Sequence, residues 1–422
     1  MSSEATPHAR PRVLLGGWYG ASNLGDELVL ATFVRWVREA DAGASAISVH
    51  PPLTRRAHGV DAVGYGDLPA IVEAMADADL FVLGGGGLFQ DYEPFDRAAL
   101  ARFPAWSVAT FAQYVHLAAE VGVPVAALAQ GVGPLRAPEA RAVAAEAFAL
   151  AATVSVRDED SAACLRALGH VRTPPVAPDP GWTHRFVARD PRAAFPVLRG
   201  ARVLAVVVRD WPFDRGWEAP FVAAMRDALS PDWACLWLDF ARLPDRACEA
   251  SANDEIAGRL AAALPGRAHA IWRGLALDDA AALLAGSDAL LAMRLHAVLL
   301  GHAASIPVVA LEYDAKVRAL GDDAGAPPTM RMALDEVAAC LPAALRSLGS
   351  ASWRMPPARR DDLAARAALH RDLLVAALRA PRPAHPAPGP ALLPGWIEAL
   401  DAASRERVRR ALARRREAAR CA

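Results

Sequence analysis

Short apolar runs alternate along the chain with longer alanine-rich stretches, and most of the runs end at or just before a glycine or a charged residue. Arg12-Val-Leu-Leu-Gly16 predicts a strand that enters a glycine-containing turn, followed by a helix near Asp26 whose acidic first turn, Asp26 and Glu27, suits the positive end of a helix dipole. Asp79-Leu-Phe-Val-Leu83 predicts a second strand, closed by the turn Gly84 to Gly87. A third, Val123 to Ala129, runs into Gln130-Gly-Val-Gly-Pro134, and a short fourth, Val154-Ser-Val156, is followed at once by Arg157 and an acidic helix start. Strands that read as continuous apolar runs, alternating with helices, imply a parallel sheet covered on both faces. In such sheets ligands sit beyond the carboxyl ends of the strands, where these glycines and polar residues fall.

A proline- and arginine-rich stretch, about Arg172 to Gly200, reads as a connection. A second set of apolar runs follows: Arg202 to Val208, Ala234 to Leu238, Ala289 to Ala292 and Pro307 to Leu311. The expected fold class is α/β, two Rossmann-like domains facing each other across a cleft, with a helical C-terminal extension. The expected boundaries are residues 1–175 for the first domain, 176–200 for the connection and 201–330 for the second domain. Residues 331–379 read as the helical extension, 380–395 as a stiff Pro-rich linker, and 396–422 as a basic helix. From Asp401 to Ala422 that helix carries eight arginines against three acids, a candidate for peripheral contact with an anionic membrane face or a partner, or simply a solvated tail.

Composition narrows the picture. The 422 residues exceed one ordinary core, and the net charge of −1 gives no basis for a nucleic-acid partner. No apolar run reaches the roughly 18–20 residues a membrane-spanning helix needs, and Met1 to Arg12 lacks an apolar leader, so a cytoplasmic location is expected. Cys164, Cys235, Cys248, Cys340 and Cys421 are odd in number and far apart, so neither a disulfide framework nor a metal site is expected. Lys316 is the only lysine among 46 basic residues. Where every other cation is an arginine, a surviving lysine marks a position that needs a compact ammonium, unless it is a chance survivor.

The ordered motifs resemble those of one family. Gly16-Gly-Trp-Tyr-Gly-Ala-Ser-Asn-Leu-Gly-Asp-Glu27, Leu83-Gly-Gly-Gly-Gly-Leu-Phe-Gln-Asp91, Gln130-Gly-Val-Gly-Pro134, Val156-Arg-Asp-Glu-Asp-Ser161, Met293-Arg-Leu-His296 and Tyr313-Asp-Ala-Lys316 are similar, in order, to the signatures of the polysaccharide pyruvyl transferases. That resemblance covers about residues 12–320. It implies a glycosyltransferase-B-like fold, phosphoenolpyruvate as co-substrate with no other cofactor, and a sugar acceptor that is lipid- or nucleotide-linked. By resemblance Arg294, Arg157 and Lys316 bind the donor's anionic groups and His296 is the donor-side general acid.

Phosphoenolpyruvate carries a carboxylate and a phosphate, so its pocket needs converging cations, a general acid for the methylene carbon and a base for acceptor hydroxyls. Arg294 and His296, two residues apart, project to one side if the segment is extended; their bland reading is a helix-start arginine and a hydrogen-bonded histidine. Arg157 and Arg209 each end a strand; for Arg157 the alternative is a salt bridge to Asp158–Asp160. Asp26 is the candidate base on the acceptor side, or only a helix cap. Asn23 and Gln130, scarce amides in glycine turns, and the backbone at Gly85 and Gly86 are candidates for acceptor binding. Tyr92, Phe95, Trp211 and Trp217 are candidates for stacking on sugar faces, or partial core. The Gly84–Gly87 run lacks the Gly-Lys-Ser/Thr ending of a triphosphate-binding loop, which excludes that class. Rival readings are a nucleotide-sugar glycosyltransferase of the same fold and a non-catalytic binding subunit. A homo-oligomer is compatible with the sequence.

Overall fold

A computed structural model describes residues 10–92, 95, 107–211, 213–241, 250–349, 351–380, 397–398 and 400–421. Packing divides the chain into two units. The first comprises Met1–Gly20, Val29–Asp179 and Ala368–Ala422; the second comprises Ala21–Leu28 and Pro180–Ala367.

The first unit holds a six-stranded parallel sheet of β1 (Arg12–Gly16), β2 (Gly43–Ser48), β3 (Asp61–Gly64), β4 (Leu80–Phe89), β5 (Val125–Val132) and β6 (Thr153–Val156), in the order β3-β2-β1-β4-β5-β6. This is the doubly wound order, and its reversal lies between β1 and β4. Helices on both faces bury the strands, so β4, and β5 as far as Ala129, read as unbroken apolar runs. The four glycines expected to form a turn after β4 instead continue the strand to Phe89. Tertiary crowding overrides the weak strand preference of glycine here, because a Cβ on Gly85 would lie 2.8 Å from the carbonyl oxygen of Ala129 on β5. Gly86 adds a backbone φ of 112°, open to glycine and strained for other residues.

The second unit repeats the same arrangement. Its strands are β7 (Arg202–Val207), β8 (Trp233–Leu238), β9 (His269–Trp272), β10 (Ala289–Ala292), β11 (Val308–Glu312) and β12 (Arg331–Ala333), ordered β12-β11-β10-β7-β8-β9. Counting from β7, this again gives the order 3-2-1-4-5-6 read in reverse, with the switch point between β7 and β10. Val207 pairs with Ala292, which sets the two strand ends level.

The helical extension expected as one piece over 331–379 is divided by its packing. Arg331–Ala333 joins the second sheet as an edge strand beside β11, and helix Val337–Arg346 packs against both these strands. Helix Leu369–Arg379 packs instead on β4, β5 and β6 of the first unit. There His370 is fully buried: Nδ1 lies 2.9 Å from Ser155 Oγ, and Nε2 lies 3.1 Å and 3.2 Å from the carbonyl oxygens of Ala177 and Pro178. Nε2 therefore carries the proton, since carbonyls only accept. Residues 176–179, expected in the connection, belong to the first unit: Val176 bridges Val156, and the Ala177 amide bonds the Val156 carbonyl.

The basic segment forms the helix Ala402–Cys421, and it is not a free tail. Its apolar face, Val408, Ala411 and Leu412, is buried in the core of the first unit against helix Leu68–Ala76. Arg407 makes two hydrogen bonds to the Glu73 carboxylate, and Arg415 donates to the carbonyls of Ala78 and Gly122. The expected linker lies, past residue 380, outside the described residues. Among the described residues no helix is long and apolar enough to cross a membrane.

Candidate active site

Two strand ends set the site of the second unit. Arg209 and Arg294 each lie two residues beyond the paired positions Val207 and Ala292, so both emerge at the switch point of the sheet. Arg294 is the cap residue of helix Leu295–Ala303 and makes no side-chain cap bond, which leaves the amides of that first turn to be satisfied from outside. The extended segment expected to carry both Arg294 and His296 ends at Arg294, and His296 sits in the first helical turn. They still serve one place, because both meet the turn at Asn23–Asp26.

That turn is held on the second unit by the bridge between Asn23 and Ala241 and by the Leu24 amide, which donates to the Phe240 carbonyl at 2.9 Å. The Asn23 backbone carbonyl receives the amides of Asp26 and Glu27, so Asn23 starts the helix. Its side-chain amide donates to Asp26 Oδ2 at 2.6 Å, which fixes the carboxylate. Gly25 lets the imidazole of His296 close on the turn, since a Cβ there would lie 2.2 Å from Nδ1.

The electrostatics favour an anion. Burial, and then the neighbouring Arg209, lower the pKa of Arg294 to about 10, against the pull of Tyr313, Asp239 and Asp26. The guanidinium has no hydrogen bond or ion pair among the described residues, and the Nε atoms of Arg209 and Arg294 are both buried without a partner. Two like charges brought together and stripped of water are costly until an anion lies between them.

Arg209 is packed against two rings, 4.9 Å from the centroid of Trp211 and 5.4 Å from that of Tyr313, and donates to Tyr313 Oη at 3.4 Å. Lys316 Nζ lies 5.6 Å from the same Tyr313 centroid and 3.3 Å from Asp314 Oδ2. Asp314 caps helix Ala315–Ala324 through the Lys316 amide, so this second helix also presents its N-terminus to the region. Thus Asn23, Asp26, Arg209, Arg294, His296 and Lys316 are brought together in one unit.

The other predicted residues lie in the first unit. Arg157 is 6% exposed, with Nη1 3.3 Å from Asp179 Oδ2 and Nε 3.6 Å from Asp158 Oδ2, so its charge is met inside the fold. Gln130 is not in a turn: it lies within β5, fully buried, and its amide protons go to the carbonyls of Leu83 and Leu128. Gly85 and Gly86 lie in β4, buried, rather than in a ligand-facing loop. Trp211 and Trp217 are core residues, and Phe95 packs on the apolar cluster of the first unit. Sequence reasoning assigned no role to Asp239 and Tyr313. Asp239 follows β8 directly, as Arg209 follows the run of β7, and a carboxylate ending a wholly apolar strand was the available signal. Among the described residues no cluster of three His, Cys, Asp or Glu is arranged to hold a metal ion.

The family profile described as Polysaccharide pyruvyl transferase matches residues 23–315. No curated protein matches the sequence. Among solved structures, the chain is similar to Anabaena HepE in complex with UDP and glucose, with TM-score 0.51, 12% identity, and coverage of 87% of this chain and 99% of that one. It is also similar to the UDP-GlcNAc 2-epimerase of Neisseria meningitidis bound to UDP-GlcNAc, with TM-score 0.52, 9% identity, and 87% and 99% coverage. The trehalose 6-phosphate synthase of Burkholderia multivorans gives TM-score 0.54, 13% identity, and 88% and 98% coverage. At these identities the likeness is one of fold: two α/β units of the glycosyltransferase-B type.

Proposed function

The chain belongs to the polysaccharide pyruvyl transferase family, and on that premise we propose that it transfers a pyruvyl group from phosphoenolpyruvate to hydroxyls of a sugar acceptor, forming a ketal and releasing phosphate. The observation that carries the proposal is the buried Arg294 guanidinium beside Arg209, its Nε without a hydrogen-bond partner among the described residues, with Lys316 across the Tyr313 ring. Three cations and two helix N-termini suit a small ligand with a carboxylate and a phosphate.

In this reading Arg294 and Arg209 take the oxyanions in fork geometry and Lys316 holds a phosphate oxygen as a compact charge. His296 protonates the methylene carbon, and the neighbouring carbon then accepts an acceptor hydroxyl whose proton Asp26 receives. The rigid link from Asn23 to Asp26 keeps that carboxylate oriented. Arg157 belongs to the proposed donor set only if the ligand competes with Asp179 for it. The exposed Arg409, Arg410, Arg414 and Arg416 are the proposed contact with an anionic membrane surface. Sedimentation with vesicles containing phosphatidylglycerol, lost when these four become glutamine, tests that contact.

The test of the donor assignment is thermal unfolding with millimolar phosphoenolpyruvate on the wild type, Lys316→Arg and His296→Ala. A ligand bound only by the native state stabilises it by mass action, about 2.7 kcal/mol at a hundredfold excess over Kd. The wild type gains stability, Lys316→Arg loses most of the gain, and His296→Ala keeps part of it. Incubation with phosphoenolpyruvate and a panel of UDP-linked and lipid-linked sugars then yields acceptor heavier by one pyruvyl ketal. Stabilisation by a nucleotide sugar and none by phosphoenolpyruvate overturns the reading in favour of a glycosyltransferase.

A further inference from the structure

Ketal formation has a proton inventory that one general acid does not fill. Two acceptor hydroxyls each lose a proton; one proton ends on the methylene carbon and the other on the departing phosphate. His296 accounts for the carbon. The second proton needs a neutral acid within the same group of side chains. Asp26 is the proposed base, Asp314 caps a helix through the Lys316 amide and pairs with the Lys316 ammonium, and Arg209 and Arg294 do not release protons at working pH.

We propose that Tyr313 is the proton donor to the departing phosphate, its hydroxyl hydrogen passing to the bridging oxygen as the bond between that oxygen and the central donor carbon breaks. The proposal rests on the pyruvyl-transfer reading above. Tyr313 directly follows β11, and its phenolic oxygen accepts a hydrogen bond from Arg209 Nη1 at 3.4 Å. Because that oxygen is the acceptor, its own hydrogen points elsewhere, and it finds no acceptor among the described residues. The ring is fixed by the edge of Trp211, with centroids 4.7 Å apart and planes at 67°, and by the two cations near its face. Lys316 and Arg209, the proposed phosphate ligands, are therefore also the groups that surround this phenol.

The charge balance follows from the same contacts. Burial pushes the phenol up, but Lys316 and Arg209 outweigh it and hold Tyr313 below the usual phenol range. After the first hydroxyl has added, the electron pair of the breaking carbon–oxygen bond goes to the phosphate, which takes the Tyr313 proton. The phenolate left behind faces two cations. The second acceptor hydroxyl adds to the oxocarbenium carbon and gives up its proton, which restores the phenol.

The experiment uses the full chain, with inorganic phosphate as the probe. Ultraviolet titration of phenolate is recorded with and without saturating phosphate on the wild type and Tyr313→Phe. Of the five tyrosines, one titrates below the rest, moves upward when phosphate is bound, and is missing in Tyr313→Phe. The same variant keeps its stabilisation by phosphoenolpyruvate and loses roughly a hundredfold or more in kcat, with KM little changed, on the acceptor found above. Should Tyr313→Phe fail to fold, 3-fluorotyrosine at this position replaces it, and the alkaline limb of the kcat profile then moves toward acid. Phosphate that stabilises the wild type without moving any phenol overturns the proton-donor role alone, as does a Tyr313→Phe enzyme that keeps more than about a third of kcat. A wild type stabilised by neither phosphate nor phosphoenolpyruvate overturns the donor site with it.

Discussion

Arg157 in the first unit and Arg294 in the second occupy equivalent ground, each just past the carboxyl end of a buried parallel strand. Arg157 has Asp179 and Asp158 around it, and its charge is neutralised within the fold. Arg294 has no ion pair among the described residues and stands beside a second arginine. A pair of histidines repeats the contrast. His370 has protein partners at both ring nitrogens, whereas His302, equally buried on helix Leu295–Ala303, has none at either among the described residues and meets the Trp353 ring at 5.7 Å. The same residue type at a similar depth thus has its charge or ring nitrogens met by protein groups in one unit and left unmet among the described residues in the other, although the Arg157 Nε also lacks a hydrogen bond.

The sharpest way to break this comparison is to remove a partner. Asp179→Asn leaves Arg157 buried and poorly matched, and urea unfolding should record a loss of about 3–5 kcal/mol. Arg294→Met, by contrast, should leave the ligand-free protein as stable as before or more so, while abolishing its stabilisation by phosphoenolpyruvate. Equal losses from the two substitutions would end the distinction.

The histidines sharpen it next. His370→Leu strands the Ser155 hydroxyl and two carbonyls and should cost about 2–3 kcal/mol, whereas His302→Leu removes two unsatisfied atoms and should be neutral or stabilising. Acid separates them further. Burial lowers the His302 pKa to about 3, so below about pH 6.5 the unfolded chain binds a proton that the native state refuses. Stability from this residue is complete above that pH and falls by about 1.4 kcal/mol per pH unit toward pH 3. Denaturant midpoints between pH 7 and 4 should lose less in His302→Leu than in the wild type.

Smaller effects test the turn and the tail. Gly25→Ala drives a methyl group into His296 and should cost about 1–2 kcal/mol, part of the overpacking penalty being offset by helix propensity. Its donor-dependent stabilisation should persist while turnover falls, which kinetics on the purified variant will show. Arg407→Ala breaks a half-exposed pair with Glu73 and should cost no more than about 1 kcal/mol by thermal melting.

The strands legible in the sequence were the apolar runs of β1, β4, β5, β7, β8, β10 and β11, together with the short β6 read from Val154-Ser-Val156. The strands β2 (Gly-Ala-Ser-Ala-Ile-Ser), β3, β9 and β12 escaped, because small residues or three- to four-residue lengths leave no periodic signal. Gly84–Gly87 misled because a missing side chain reads as a turn, while the crowding from β5 that demands it is invisible locally. The cations of the second unit were legible as charges ending strands. Whether such a charge is neutralised was not, since Asp179 lies 22 residues from Arg157 and no local pattern links them. For the same reason the periodicity of helices 337–346 and 369–379 gave no clue that they pack on different units.

The return of Leu369–Arg379 and Ala402–Cys421 to the first unit has a consequence for biosynthesis. On the ribosome, the usual order is that the domain synthesised first folds first. Here β1 to β6 emerge early, yet the seats for His370, Val408 and Leu412 stay vacant until the whole second unit has been made. The earliest-born sheet is the last to be finished, and in the interval its uncovered faces are surfaces that a chaperone would recognise.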